Sequence, residues 1–214
     1  MKIKVCGMRE EANIRALAEL KPDYMGLIFY AASKRFVEQA NVGLLKDLSP
    51  DIKITGVFVD EDLAVVLQKV KHYGLKAIQL HGSETPEYCR SLKKAVKNEI
   101  AGVELIKAFG IDENFDFKIL ELYESEVDYL LFDTKTPAHG GSGLKFNWMV
   151  LDNYHLDKPY FLSGGISLEN LNQLTTIKDH RLYAVDVNSK FETSPGVKNI
   201  EQISRAIGIL RATF

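Results

Sequence analysis

The sequence predicts a single (β/α)8 barrel of the TIM type, and three observations carry that reading. Eight short runs rich in β-branched and aromatic residues alternate with longer segments of helical spacing. Most of these runs are nearly continuous in apolar residues, the pattern of a parallel sheet covered on both faces. No linker, low-complexity tract or exact repeat marks a second domain, so residues 1–214 read as one unit. The length is below the ~250 residues typical of this barrel, which requires short loops. A doubly wound open sheet shares the same alternation, and periodicity alone leaves it open.

The strand candidates are residues 3–6, 24–29, 54–59, 77–80, 102–108, 128–133, 159–163 and 182–187. Between them lie helical start signals with physical causes. Asp60 stands where it could cap a helix whose stripe is Leu63, Val66, Leu67 and Val70. Thr85-Pro86 joins a cap to a proline at the first helical position, where its missing N–H costs little. The segment around Phe146-Asn147-Trp148 has the faintest helical pattern. Ser167 precedes Leu168-Glu169-Asn170 as another start, and Asn199 precedes Ile200-Glu201-Gln202 with the spacing of a capping box.

Composition narrows the function classes. Hydrophobic residues at 46% and charged residues at 26% are ordinary for a soluble globular chain. A net charge of −2 gives no positive field for nucleic acid or an anionic membrane. No run approaches the ~18–20 apolar residues of a membrane span, and no signal-peptide core opens the chain. Two cysteines, Cys6 and Cys89, make neither a disulfide framework nor a metal signature, so a reduced, cytoplasmic setting is expected.

In such a barrel the reactive face is the C-terminal end of the strands. Cys6 closes the first run and Asp133 the sixth, three steps apart around a ring of eight, so they would face each other across the mouth. A lone cysteine is commonly a small buried hydrophobe, but this one ends a strand and is followed by Gly7. Asp133 taken alone could equally be a turn residue. Cys89, among helix formers, reads as structural. Ser163-Gly164-Gly165-Ile166 follows a strand and precedes a helical segment, where glycines let backbone N–H groups approach a phosphate beside a helix N-terminus. Asp186-Val187-Asn188-Ser189 ends the last strand and can complete that pocket. Gly140-Gly141-Ser142-Gly143 is a weaker signal that also suits a flexible connection. Arg35, in the loop after the second strand, could hold a carboxylate through a bidentate pair, although most arginines are simply solvated. His81 and His139 fall in mouth-side loops, and His81 suits the polar lining. Neither has the partners a metal requires, and no ATP or dinucleotide fingerprint is present.

Taken in order, these motifs resemble the phosphoribosylanthranilate isomerases of tryptophan biosynthesis. The matching segments are Lys4-Val5-Cys6-Gly7-Met8, Ser33-Lys34-Arg35-Phe36-Val37, Gln79-Leu80-His81-Gly82, Phe132-Asp133-Thr134, Gly140-Gly141-Ser142-Gly143, Leu162-Ser163-Gly164-Gly165-Ile166, Ala184-Val185-Asp186-Val187-Asn188-Ser189 and Pro195-Gly196-Val197-Lys198. The resemblance implies an Amadori rearrangement of N-(5-phosphoribosyl)anthranilate without metal or cofactor. It implies Cys6 as general base, Asp133 as general acid and Arg35 as the anchor of the anthranilate carboxylate. Gly164, Gly165, Asn188 and Ser189 would cradle the phosphate, with His81 and Gly141 completing the substrate site. The expected partner is a phosphorylated small molecule, not nucleic acid or membrane, in a monomer or homodimer. Ser142, Ser163, Asn188 and Asn199 depart from the residues more common in that family.

Rival functions are weaker. The histidine-pathway isomerase on the same fold would call for a carboxylate at Cys6 and a second glycine-rich phosphate loop in the first half. A thiamine-phosphate-synthase-like barrel would need carboxylates for magnesium. A non-catalytic binder of phosphoribosyl ligands would have no use for an acid and a base across one mouth.

Overall fold

Eight parallel strands close into a ring in the computed structural model, which describes residues 1–135 and 147–213. They are β1 (Lys2–Val5), β2 (Tyr24–Ile28), β3 (Lys53–Phe58), β4 (Ala77–Leu80), β5 (Glu104–Ile111), β6 (Tyr129–Thr134), β7 (Tyr160–Leu162) and β8 (Leu182–Val187). Each pairs in parallel with the next, and β1 pairs with β8 with Lys4 opposite Asp186. That pairing closes the ring and removes the open-sheet alternative. The strands fall where the apolar runs predict, with one clear shift. β5 begins two residues later than expected and runs on to Ile111, because Phe109-Gly110-Ile111 pair with Phe132-Asp133-Thr134 of β6.

The helices outside the ring are uneven. The first half carries α1 (Glu11–Ala18), α2 (Val42–Asp47), α3 (Leu63–Tyr73) and α4 (Pro86–Glu99), and the chain ends in α5 (Ile200–Thr213). The second half is covered instead by 3-10 segments at Phe117–Tyr123, Trp148–Asn153 and Leu171–Thr176. These save length, which is how 214 residues suffice. α4 shows the packing logic: Thr85 accepts the Tyr88 N–H, Pro86 opens the helix, and Cys89, Leu92 and Val96 lie buried on one stripe. Each such side chain taken from water contributes about 1.5–3 kcal/mol.

Two expected caps are corrected. Asp62, not Asp60, caps α3 by accepting the Ala64 N–H at 2.8 Å. Asp60 instead adopts a left-handed backbone (φ 48°) and accepts the Ser83 N–H at 2.6 Å, tying two mouth-side loops together. Ser167 does not cap a helix; its N–H is held by Asn170, and the helical segment begins only at Leu171. Asn199 does cap α5, accepting from Gln202 at 3.1 Å.

The apolar core has two parts. The larger lies between the sheet and its helices. A smaller one fills the ring itself, where Tyr24 and Phe161 meet edge to face at 5.1 Å among Ala77, Ile106, Ala108, Leu131 and Ala184. This plug leaves the C-terminal end of the strands as the end with room for a ligand.

Candidate active site

A cavity of about 440 Å³ opens at that end, lined by Cys6, Arg35, His81, Asp133, Gly164, Gly165, Asn188 and Ser189, among others. Every predicted site residue within the described part of the chain therefore reaches one cavity. Gly141 and His139, with the rest of the glycine-rich loop, lie outside the described residues.

Cys6 follows β1, and its N–H donates to Val187 O of β8 at 3.0 Å, which holds it at the seam of the ring. Room for its sulfur comes from Gly26 on β2, where an added Cβ would sit 2.7 Å from Cys6 Sγ. Beneath it, Lys4 Nζ donates to Asp186 Oδ2 at 2.8 Å, a pair with side chains 0% and 5% exposed. Burial pushes the Cys6 thiol up; the Lys4 and Lys198 ammonium groups oppose this, Asp186 adds to it, and the net direction is upward. Burial pulls Lys4 down, but Asp186 and Cys6 together outweigh it and the net direction is upward. Asp186 Oδ1 is buried with no partner among the described residues.

Asp133 stands across the mouth, on the strand reached from β1 by way of β8 and β7. Its Oδ1 accepts the Thr134 N–H at 2.8 Å, and its Oδ2 lies 3.3 Å from His81 Nε2. Gln79, inside the ring on β4, approaches His81 Nδ1 at 2.7 Å.

Arg35, expected either to hold a carboxylate or to be solvated, is engaged by a carboxylate of this chain. Glu192 takes its side edge, with Nε donating at 2.9 Å and Nη2 at 2.7 Å. Glu192 belongs to a hairpin of β9 (Glu192–Ser194) and β10 (Val197–Lys198), and Lys198 Nζ donates to both Glu192 and Asn188. Burial pushes the Glu192 carboxyl up, but Arg35 and Lys198 win and hold it below the ordinary range. Burial dominates at Lys198 and lowers it. Gly7 (φ 78°) is required here, since a Cβ would meet Arg35 Cδ at 2.6 Å and Asn188 Oδ1 at 2.8 Å.

Gly164 and Gly165 both adopt left-handed backbone (φ 87° and 64°). Among the described residues, no protein acceptor takes the N–H groups of Gly164, Gly165, Asn188 or Ser189. The expected helix N-terminus beside the glycines is absent, because residues 166–167 are irregular and 168–170 form a turn before the helical segment at Leu171. Exposed N–H groups on loops, not a helix end, are what this region offers an anion. Cys89 lies on the buried stripe of α4 with its thiol pushed up to about 12 by burial, a packing residue in the position expected of one.

Four contributors went unassigned in the sequence: Lys4, Gln79, Glu192 and Lys198. Lys4 carried a readable signal, a charge flanked by Ile3 and Val5 in a buried run. Glu192 carried none, because its partner Arg35 is 157 residues away. Among the described residues no group of three or more His, Cys, Asp or Glu could hold a metal ion, and no helix is long and apolar enough to cross a membrane.

A family model described as N-(5'phosphoribosyl)anthranilate (PRA) isomerase matches residues 3–208. The N-(5'-phosphoribosyl)anthranilate isomerase of Parabacteroides distasonis is 43% identical over 211 residues, spanning 97% of this chain and 92% of that relative. The crystal structure of phosphoribosyl anthranilate isomerase from Thermus thermophilus superposes with a TM-score of 0.85 at 26% identity, covering 99% of both chains. A phosphoribosyl anthranilate isomerase crystallised with reduced 1-(o-carboxyphenylamino)-1-deoxyribulose 5-phosphate gives 0.78 at 27% identity, again over 99% of both.

Proposed function

The chain belongs to the N-(5'-phosphoribosyl)anthranilate isomerase family and converts that substrate to 1-(o-carboxyphenylamino)-1-deoxyribulose 5-phosphate in tryptophan biosynthesis, and from that premise we propose that Cys6 and Asp133 carry its proton transfers. The observation that carries the assignment is their placement three strands apart in a closed ring, lining one cavity with uncommitted backbone donors.

Substrate and product are at the same oxidation level, so proton transfers suffice. Asp133, as the acid, protonates the furanose ring oxygen, and the ring C–O bond breaks to leave a protonated Schiff base. That cation acidifies the proton on C2, which Cys6 removes as thiolate. The enolamine then tautomerises to the ketone. In the free enzyme the Cys6 thiol titrates above its ordinary range. The iminium charge supplies what the resting site lacks, appearing in the cavity when the thiolate is needed.

Binding follows from the remaining donors. Glu192 occupies the Nε edge of Arg35 and leaves the terminal edge for the anthranilate carboxylate, a bidentate match. The N–H groups of Gly164, Gly165, Asn188 and Ser189 accommodate the phosphate oxygens. The reaction requires no cofactor or metal in this scheme, and a reduced cytoplasmic setting suits the Cys6 thiol.

The test follows the fluorescence of phosphoribosylanthranilate, formed in situ, with the native chain and the Cys6→Ala and Asp133→Asn variants. Both variants are expected to lose at least about 100-fold in kcat, as general acid–base groups do, with unchanged circular dichroism. A variant that keeps native turnover removes its residue from the mechanism.

A further inference from the structure

An acid that releases its proton and regains it in each turnover needs neighbours that serve both of its forms. Asp133 Oδ1 is committed to the Thr134 N–H, so the transferable proton belongs on Oδ2. Oδ2 lies 3.3 Å from His81 Nε2, a close approach short of a hydrogen bond and of the kind that tightens when substrate binds. On the other side of the imidazole, Gln79 Nε2 meets Nδ1 at 2.7 Å. An amide nitrogen can only donate. With the amide in this orientation, which leaves its Oε1 buried without a partner among the described residues, Nδ1 accepts and the ring proton falls on Nε2, the nitrogen nearer Asp133.

We propose that Gln79 selects this His81 tautomer and that His81 thereby acts as a donor to Asp133 Oδ2 throughout the reaction. The inference rests on the acid role given to Asp133 above. Its consequence is one N–H donor for each carboxylate oxygen. As the proton leaves for the ring oxygen, negative charge grows on Asp133 and both bonds strengthen, so the stabilisation is larger in the transition state than in the ground state. Neither donor competes for the acid proton, which stays directed into the cavity. Gln79 suits the task because it is buried, 1% exposed, and uncharged. A carboxylate at the same place would accept Nδ1–H instead. It would then hold either the opposite tautomer, or an imidazolium that keeps Asp133 ionised. Across the ring, Asp186 of β8 is coupled electrostatically to both Asp133 and His81, and is itself held by Lys4 of β1. Gln79 and His81 are positioning residues, acting through Asp133.

The experiment uses the full chain with 15N-labelled histidine, together with Gln79→Glu, Gln79→Met, His81→Gln, His81→Leu and Asp133→Asn. Nitrogen chemical shifts at the working pH are expected to show native His81 protonated on Nε2 alone. Gln79→Glu is expected to lower kcat by roughly 10–100-fold, part of what a general acid contributes. Its affinity for the reduced product analogue should stay within about threefold, because that compound cannot accept the catalytic proton transfer. Gln79→Met should lose less. His81→Gln, which keeps an N–H, should retain more turnover than His81→Leu. Native His81 protonated on Nδ1 would overturn the proposal. So would native kcat in Gln79→Glu, or a parallel loss of analogue affinity and kcat across the set, the mark of a merely structural pair. Asp133→Asn separates the levels. If it stays active, the acid assignment itself fails; if it is dead while Gln79→Glu turns over normally, only the tautomer inference falls.

Discussion

Replacing Lys4 with methionine should cost this enzyme more stability than its position in a four-residue strand suggests. The side chain is fully buried and donates to Asp186 Oδ2 at 2.8 Å, while Asp186 Oδ1 already lacks a partner among the described residues. Removing the ammonium leaves a carboxyl group in the ring with neither oxygen paired. Burial raises its pKa and Lys4 is the main opposing influence, so losing Lys4 pushes Asp186 further up. Breaking such a pair costs about 3–5 kcal/mol, against a total of roughly 5–15 kcal/mol for a domain. At about 2–4 °C per kcal/mol for a chain of this size, Tm should fall by about 6–20 °C. Urea denaturation of native, Lys4→Met, Asp186→Leu and the double variant forms a cycle. The double variant should recover most of the loss, since an apolar pair of similar volume leaves no orphaned charge. A loss below about 1 kcal/mol for Lys4→Met, the scale of an exposed pair, would refute the reasoning. So would a double variant as unstable as the sum of the singles.

Two further outcomes follow from the same geometry. Gly26→Ala places a methyl 2.7 Å from Cys6 Sγ, so kcat/KM should fall at least about tenfold while Tm drops modestly, as overpacking costs about 1–3 kcal/mol; native kinetics in that variant would mean the sulfur sits elsewhere. Glu192→Gln should show a pH-dependent deficit. Burial raises the native carboxyl but Arg35 and Lys198 depress it overall, so its contribution is present above the unfolded value of about 4.3 and is lost as pH falls through the lower folded value. The stability gap between native and variant is therefore widest near neutrality and closes towards pH 3; a gap that widens on acidification contradicts the assignment.

The ring was legible because its strands are buried on both faces and so read as apolar runs between turn signals. Ala77–Leu80 and Leu182–Val187 fall at the predicted boundaries. The covering helices were less so. Leu171–Thr176 keeps its apolar residues Leu171 and Leu174 three apart, a spacing shared by α and 3-10 geometry, so the pattern did not distinguish them. Asp60 and Asp62 are equivalent as sequence signals, and only the demand of Ser83 for a partner decides which one caps. At the site, residues at strand ends could be found because the fold assigns chemistry to that end. The engagement of Arg35 by Glu192 could not, because it depends on a hairpin that follows the last strand of the ring.

The pairing of β1 with β8 also sets a timetable. Lys4 and Cys6 are made well before Asp186, which follows Lys4 by 182 residues, and before Asn188, Ser189 and Glu192. At ~5–20 residues per second, synthesis separates them by many seconds, during which the first strand has no neighbour on one side. Through that interval Lys4 has no Asp186 counter-ion and the Cys6 backbone N–H lacks the Val187 carbonyl that later holds it. On the roles proposed above, turnover waits until β8 meets β1, and a product terminated before β8 would carry the Cys6 thiol without its partners.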